Sequence, residues 1–156
     1  MRKQRVGQPV NTIDLAHRIK GALGALDMDV ELESNDTGAL LMAVHPQLGA
    51  TMAVELRTAA QTATMLLMFG EWDSLRCAPA EVQHLATLNA RLITCAVGLV
   101  DVGDQQVVAL TRTIPASDVA PERVADLVAQ MAWEYSLRDN DSPTSAVGPN
   151  PDTEQS

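Results

Sequence analysis

The sequence predicts an α+β domain: an antiparallel sheet carrying helices, with element order α-β-β-β-β-α-β-β-α. Two patterns carry that expectation. Three stretches place apolar residues at three- and four-residue steps, while six shorter ones alternate or are apolar throughout. Consecutive strand stretches are joined by short turns, which antiparallel hairpins allow and parallel crossovers do not. The bulk properties agree. The chain has 156 residues, 46% apolar and 20% charged, the balance of a globule and not of a disordered chain. Surface scaling gives roughly 24,000 Å² for the open chain and about 7,600 Å² for the fold, so a core forms without staples.

The elements follow in order. Residues 1–10 contain Gly7 and Pro9 without periodicity and are expected to be a flexible arm. From Thr12, Ile13, Ala16, Ile19, Leu23 and Leu26 recur at helical spacing. Asn11 or Thr12 caps this first helix, and Asp14 suits its first turn. Met28, Val30 and Leu32 then alternate with Asp29, Glu31 and Glu33, a half-buried strand with an acidic outer face. Such acids read as the solvated side of an edge strand, where charge blocks further pairing. Ser34–Gly38 is a turn. Ala39–Val44 is a second strand, apolar on both faces, ended by Pro46 and Gly49. Thr51–Arg57 is a third, with Met52, Val54 and Leu56 inward and Glu55 and Arg57 outward. Thr62–Phe69 is a fourth, apolar on both faces from Met65 onward.

Ser74–Pro79 reads as a loop, with Pro79 and Glu81 opening a helix whose stripe is Val82, Leu85, Ala86, Leu88 and Leu92, with Asn89 inside it. Thr94–Asp101 and Gln105–Ile114 flank Val102-Gly103-Asp104, a hairpin signal. Ala120-Pro121-Glu122 opens the last helix, with Val124, Leu127, Val128, Met131 and Tyr135 on its inner face. Residues 11–138 therefore form the single domain, and 139–156 an acidic tail expected to be disordered, being too polar to bury itself.

The charge distribution excludes some functions. The net charge is −9, with +3 in residues 1–10 (Arg2, Lys3, Arg5) and −4 in residues 139–156. No basic stripe exists to displace counterions from a phosphate backbone, so no nucleic-acid partner is expected. No apolar run approaches a bilayer span and no apolar region follows the N-terminal charges, so neither a membrane partner nor a signal peptide is expected. Cys77 and Cys95 lack a secretory context and read as reduced thiols of a cytoplasmic protein.

Site chemistry is sparse. Cys77, Cys95, His17, His45 and His84 show no metal-ligand spacing, so no metal or other cofactor is expected. Cys77 precedes a helix N-terminus, which lowers a thiol pKa, but His84 lies about 10 Å on by helix rise. A small thiol-dependent enzyme, or a ligand pocket near Cys77, His84 and Trp72, is the alternative reading. No catalytic residue is assigned. The greasy strands point elsewhere: helices cover one sheet face, and the other must be met by another polypeptide. Met42, Met52, Met65 and Met68 lie in these strands, and thioethers suit either core filling or adaptable binding. Trp133 stands beside the main stripe of the last helix, at a sheet margin or an interface. Met65, Leu67, Phe69 and Trp133 are the candidate partner-binding residues.

The run "EVQHLATLNARL" from Glu81, then "VDVGDQQVVALTRTIP" and "APERVADLVAQMAWEY", resembles the YbjN family and the wider type III secretion chaperone-like fold that includes Tir-type chaperones. Asn89 before a strand, an Asp-Gly-like turn, a "VV" strand and a Pro-led helix carry the likeness. It departs from that pattern in the strand over Thr62–Phe69 and in its low aromatic content. The resemblance implies a small, acidic, commonly dimeric protein without an enzymatic site, one that holds a segment of a client or serves regulation. The expected function is therefore a non-enzymatic, chaperone-like or regulatory protein-binding domain, with an unknown protein client and a homodimeric state.

Overall fold

A computed structural model describes residues 8–71, 79–102 and 104–140. Its order is the expected one: α1 (Thr12–Gly24), β1 (Glu31–Asn35), β2 (Gly38–Val44), β3 (Thr51–Arg57), β4 (Thr62–Glu71), α2 (Pro79–Arg91), β5 (Ala96–Val102), β6 (Gln105–Pro115) and α3 (Val124–Asn140). The strands form one antiparallel sheet in the order β1-β2-β3-β4-β6-β5. Of the expectations above, the arm over residues 1–7, Gly103, Trp72, Cys77, the Ser74–Ala78 part of the loop and the tail beyond Asn140 lie outside the described residues.

Asn11 caps α1: its Oδ1 accepts the N–H groups of Ile13 and Asp14, each at 3.1 Å. Thr12, Leu15, Ala16, Ile19 and Leu23 are buried, whereas Ile13, expected on that stripe, is exposed. Ile13 stands about 200° round the axis from Leu15, and Leu15 continues the row to Ile19 and Leu23. Asp27 ends the element in the left-handed region (φ 66°), and the Met28 N–H reaches back to the Leu23 carbonyl at 3.2 Å. Met28 and Val30 are already buried before β1 begins at Glu31.

The turn into β2 rests on two residues. Asn35 Oδ1 accepts from the Thr37 N–H, the Thr37 hydroxyl and the Gly38 N–H. Gly38 has φ 155°, and a Cβ there would lie 1.8 Å from the Leu56 carbonyl oxygen, so this approach of two strands requires glycine.

Two of the helices, α1 and α3, share one side of the sheet. The main core joins Leu15, Ile19 and Leu23 of α1 and Leu127, Val128 and Met131 of α3 to strand residues Leu41, Met52, Val54, Leu56, Met65, Leu67 and Leu110. The inner face of α3 is the expected one. Pro121 differs slightly, opening a 3₁₀ turn (Pro121–Arg123) that runs into the helix. α2 has a narrower buried side than its stripe suggested: Leu88 is fully buried, but Val82 and Ala86 are exposed. It packs at the margin of the sheet, on β5, where one row of side chains is covered.

Candidate functional site

The alternation of the strands makes two different surfaces. Odd residues of β2 and β4 and even residues of β3 enter the main core. Their neighbours form a second apolar cluster on the other face: Ala53, Leu66, Val107 and Ala109 buried, with Leu40, Met42, Met68, Val100 and Val102 half-buried around them. Every member of this second cluster comes from a strand; no helical residue among those described belongs to it. Among the described residues, one face of the sheet therefore lies under helices, and the other is apolar with no helical residue in its cluster.

The register lays out this open face. One row runs Glu31, Met42, Ala53, Leu66, Thr111, Ala96 across five strand pairings. The next runs Glu33, Leu40, Glu55, Thr64, Thr113. The face is therefore acidic toward β1 and apolar toward β5. Among the described residues Arg57 is the base here, with Nη2 at 3.3 Å from Glu55 Oε1. A depression of about 610 Å³ lies at the acidic end, lined among others by Glu33, Leu40, Glu55 and Arg57. At the opposite end, β4 changes register between Met68 and Gly70. Beside that bulge a notch of about 470 Å³ is lined by Met42, Met68, Phe69, Val102, Val107 and Tyr135, with the Leu48–Thr51 turn.

The four candidate residues do not share one surface. Met65 and Leu67 are buried on the helix side and belong to the core; the neighbours that reach the open face are Leu66 and Met68. Phe69 is half-buried, stacked on Tyr135 with ring centroids 4.9 Å apart and with the Arg138 guanidinium 5.0 Å over its ring. Trp133 is 54% exposed on the outer helix layer. Alternation explains the split, since adjacent strand residues point to opposite faces.

The two margins of the sheet also differ. β1 presents Glu31 and Glu33. β5 is longer and apolar, and Val97 donates its N–H outward to Asn89 Oδ1 at 2.9 Å. Backbone groups in a strand point to alternate edges, so those of Leu99 and Asp101 face outward as well. Val82, Ile93 and Leu99, all exposed, surround this margin.

A polar cluster that the sequence did not announce lies beside it. Glu134 is wholly buried on α3 and accepts the N–H groups of Ile93 (2.7 Å) and Thr94 (3.1 Å) and the Thr94 hydroxyl. Burial pushes its carboxyl pKa up, but these hydrogen bonds, with a further one from Cys95, outweigh it and hold the group below the ordinary glutamate value. Cys95 carries a free, buried thiol pushed up to about 11, chiefly by burial. It is therefore protonated at neutral pH and a poor nucleophile. The signal for Glu134 was its place three residues after Met131 on the inward side of α3; periodicity alone reads a lone acid there as solvated.

The histidines take separate roles. His45 is buried, and its Nδ1 accepts the N–H groups of Gln47 and Leu48, each at 3.2 Å; burial lowers its pKa. His84 is buried on α2, its Nε2 without a hydrogen-bond partner among the described residues. His17 is exposed. Among the described residues, no three His, Cys, Asp or Glu side chains converge as a metal site would need. No helix among them is long and apolar enough to cross a membrane.

No protein-family model matches the sequence, and no curated protein matches it. Solved structures do match. The chain superposes on YbjN from E. coli with a TM-score of 0.56 at 18% identity, over 84% of this chain and 91% of that one. A chain of the HopA1–SchA chaperone–effector complex gives 0.53 at 13% identity, over 84% and 99%. The fold expected from the resemblance is thus the fold found.

Proposed function

We propose that the chain is a non-enzymatic, chaperone-like or adaptor domain that holds a segment of a client protein against the open face of its sheet. The observation that carries this reading is the second apolar cluster, made wholly of strand side chains. The fold shared with YbjN and with a chaperone–effector complex supports it. An extended or helical segment with apolar side chains fits the Met42–Leu66–Met68 surface, where thioethers adjust to varied shapes. The domain is a cytoplasmic homodimer in this reading. The uncharged start of the β5 edge and the exposed Val82, Ile93 and Leu99 support that margin as the surface for a second copy.

The test is a photo-crosslinking amino acid placed in cells at Met42 or Met68 and, as a control, at exposed Gln130 on α3. Protein adducts are expected from the two sheet positions and not from the control. No adduct from the sheet, or equal adducts from all three, overturns the reading. Light scattering on the purified chain checks the dimer: a monomer at every concentration removes that part.

A further inference from the structure

The open face has a hollow at each end, and one strand runs between them. Thr51 lines the apolar notch and Glu55 lines the acidic depression. Both stand on β3, and the alternation of the strand puts them on the same side of the sheet as Ala53. Ala53 is buried and pairs with Met42 on one neighbour strand and Leu66 on the other, so the floor between the hollows is apolar. From Thr51 to Glu55 is four strand residues, which sets the hollows about 13 Å apart.

The two hollows want different side chains. Met42, Met68 and Val107 wall the notch, and its thioethers adjust to an apolar group of varied shape. The depression holds Glu33 and Glu55 with Arg57, whose guanidinium is already on Glu55. Glu33 is exposed and has no ion pair among the described residues. Two carboxylates therefore share one guanidinium, and a second cation balances what is left. The separation then measures what can span both. An extended segment covers about 13 Å in four residues, and residues four apart point to the same side. A helix takes roughly nine residues over that length, which turns its two ends to opposite sides.

We propose that the client segment is extended and carries an apolar side chain four residues from a lysine or arginine, the apolar one seated in the notch beside Met42 and Met68 and the basic one at Glu33 and Glu55. This rests on the client-binding reading above and adds to it the chemistry and the spacing of what is bound.

Random peptides displayed on phage and selected on the immobilised full chain test the spacing. Leu, Ile, Met or Phe is expected to be enriched four residues from Lys or Arg, in either chain direction. A synthetic peptide of the selected sequence is expected to shift the Met42 and Met68 methyls in ¹³C spectra and to leave Met65, on the covered face, in place. E33K/E55K is expected to bind that peptide about fivefold more weakly, the worth of an exposed ion pair, with a smaller difference in high salt. An unmoved Met65 methyl in the variant checks that it folds. No enrichment, selected peptides without the spacing, or equal binding by E33K/E55K overturns the proposal. Met42 and Met68 methyls that move with protein concentration and not with peptide would seat a second copy on the face, and overturn it too. The photo-crosslinks keep the two ideas apart. With adducts at Met42 and Met68 intact, any of those results defeats the spacing alone. A spaced peptide bound in solution without adducts in cells defeats the client reading and leaves the preference of the face standing.

Discussion

The two faces of the sheet are built from alternate residues of the same strands, yet they meet different surroundings. On one face Leu41, Val54, Met65 and Leu67 are sealed under α1 and α3. On the other, Leu40, Met42 and Met68 are half-buried in a cluster whose members, among the described residues, all come from strands. Sequence hydrophobicity barely distinguishes Leu67 from Leu66 or Met65 from Met68. What separates them is the side on which the helices close, and the apolar area left over once that core is complete is the surface the proposed client would meet.

The sharpest way to break this contrast is to truncate one residue from each face. Leu67→Ala is expected to cost about 2–5 kcal/mol, since a fully buried leucine leaves a cavity under the helices. Met68→Ala is expected to cost distinctly less in urea or thermal unfolding, with its main effect on the photo-crosslinking assay. Equal losses would mean the open face is as structural as the covered one.

A smaller effect is expected at Glu134, which ties α3 to the α2–β5 connection on the covered side. Glu134→Ala leaves the Ile93 and Thr94 N–H groups without their acceptor, at about 1–3 kcal/mol. The native carboxyl titrates below the ordinary 4.5, so its contribution is complete above that pH and is lost as pH falls toward the folded value. Chemical denaturation between pH 7 and pH 3 checks this: the wild type is expected to lose more than Glu134→Gln does.

His45 gives the smallest expected effect, and it supports both faces alike by holding the β2–β3 turn. Its pKa is lowered from 6.5, so the unfolded chain takes up the proton first, and stability falls as pH drops below about 6.5. The melting temperature of the wild type is expected to decline from pH 7 to pH 5.5 more than that of His45→Asn. Parallel curves would remove His45 as the source.

Much of this was legible before folding. The six strands, the three helices and the inward rows of β3 and α3 follow from periods of two and 3.6, which depend on backbone geometry alone. Asn35 and Gly38 were recognisable as turn residues, although the backbone contact that makes Gly38 obligatory joins it to Leu56. The narrow face of α2 and the exposure of Ile13 were not legible. Periodicity says which side chains share a side, not how much of that side a neighbour covers. The same limit placed Met65 and Leu67 among the candidate binding residues when their neighbours Leu66 and Met68 hold the open face.

By itself the sequence determined the alternation, the excess of apolar strand surface, the basic start and the acidic first strand, because these are properties of residue order. Only the tertiary structure decided which half of each strand the helices seal, that Glu134 turns inward to satisfy the Ile93–Thr94 backbone, and that Gln61 anchors Val10 to the β3–β4 turn. Those outcomes depend on contacts between residues some 40 to 50 positions apart. Local preference carries no information about such contacts until the sheet has closed.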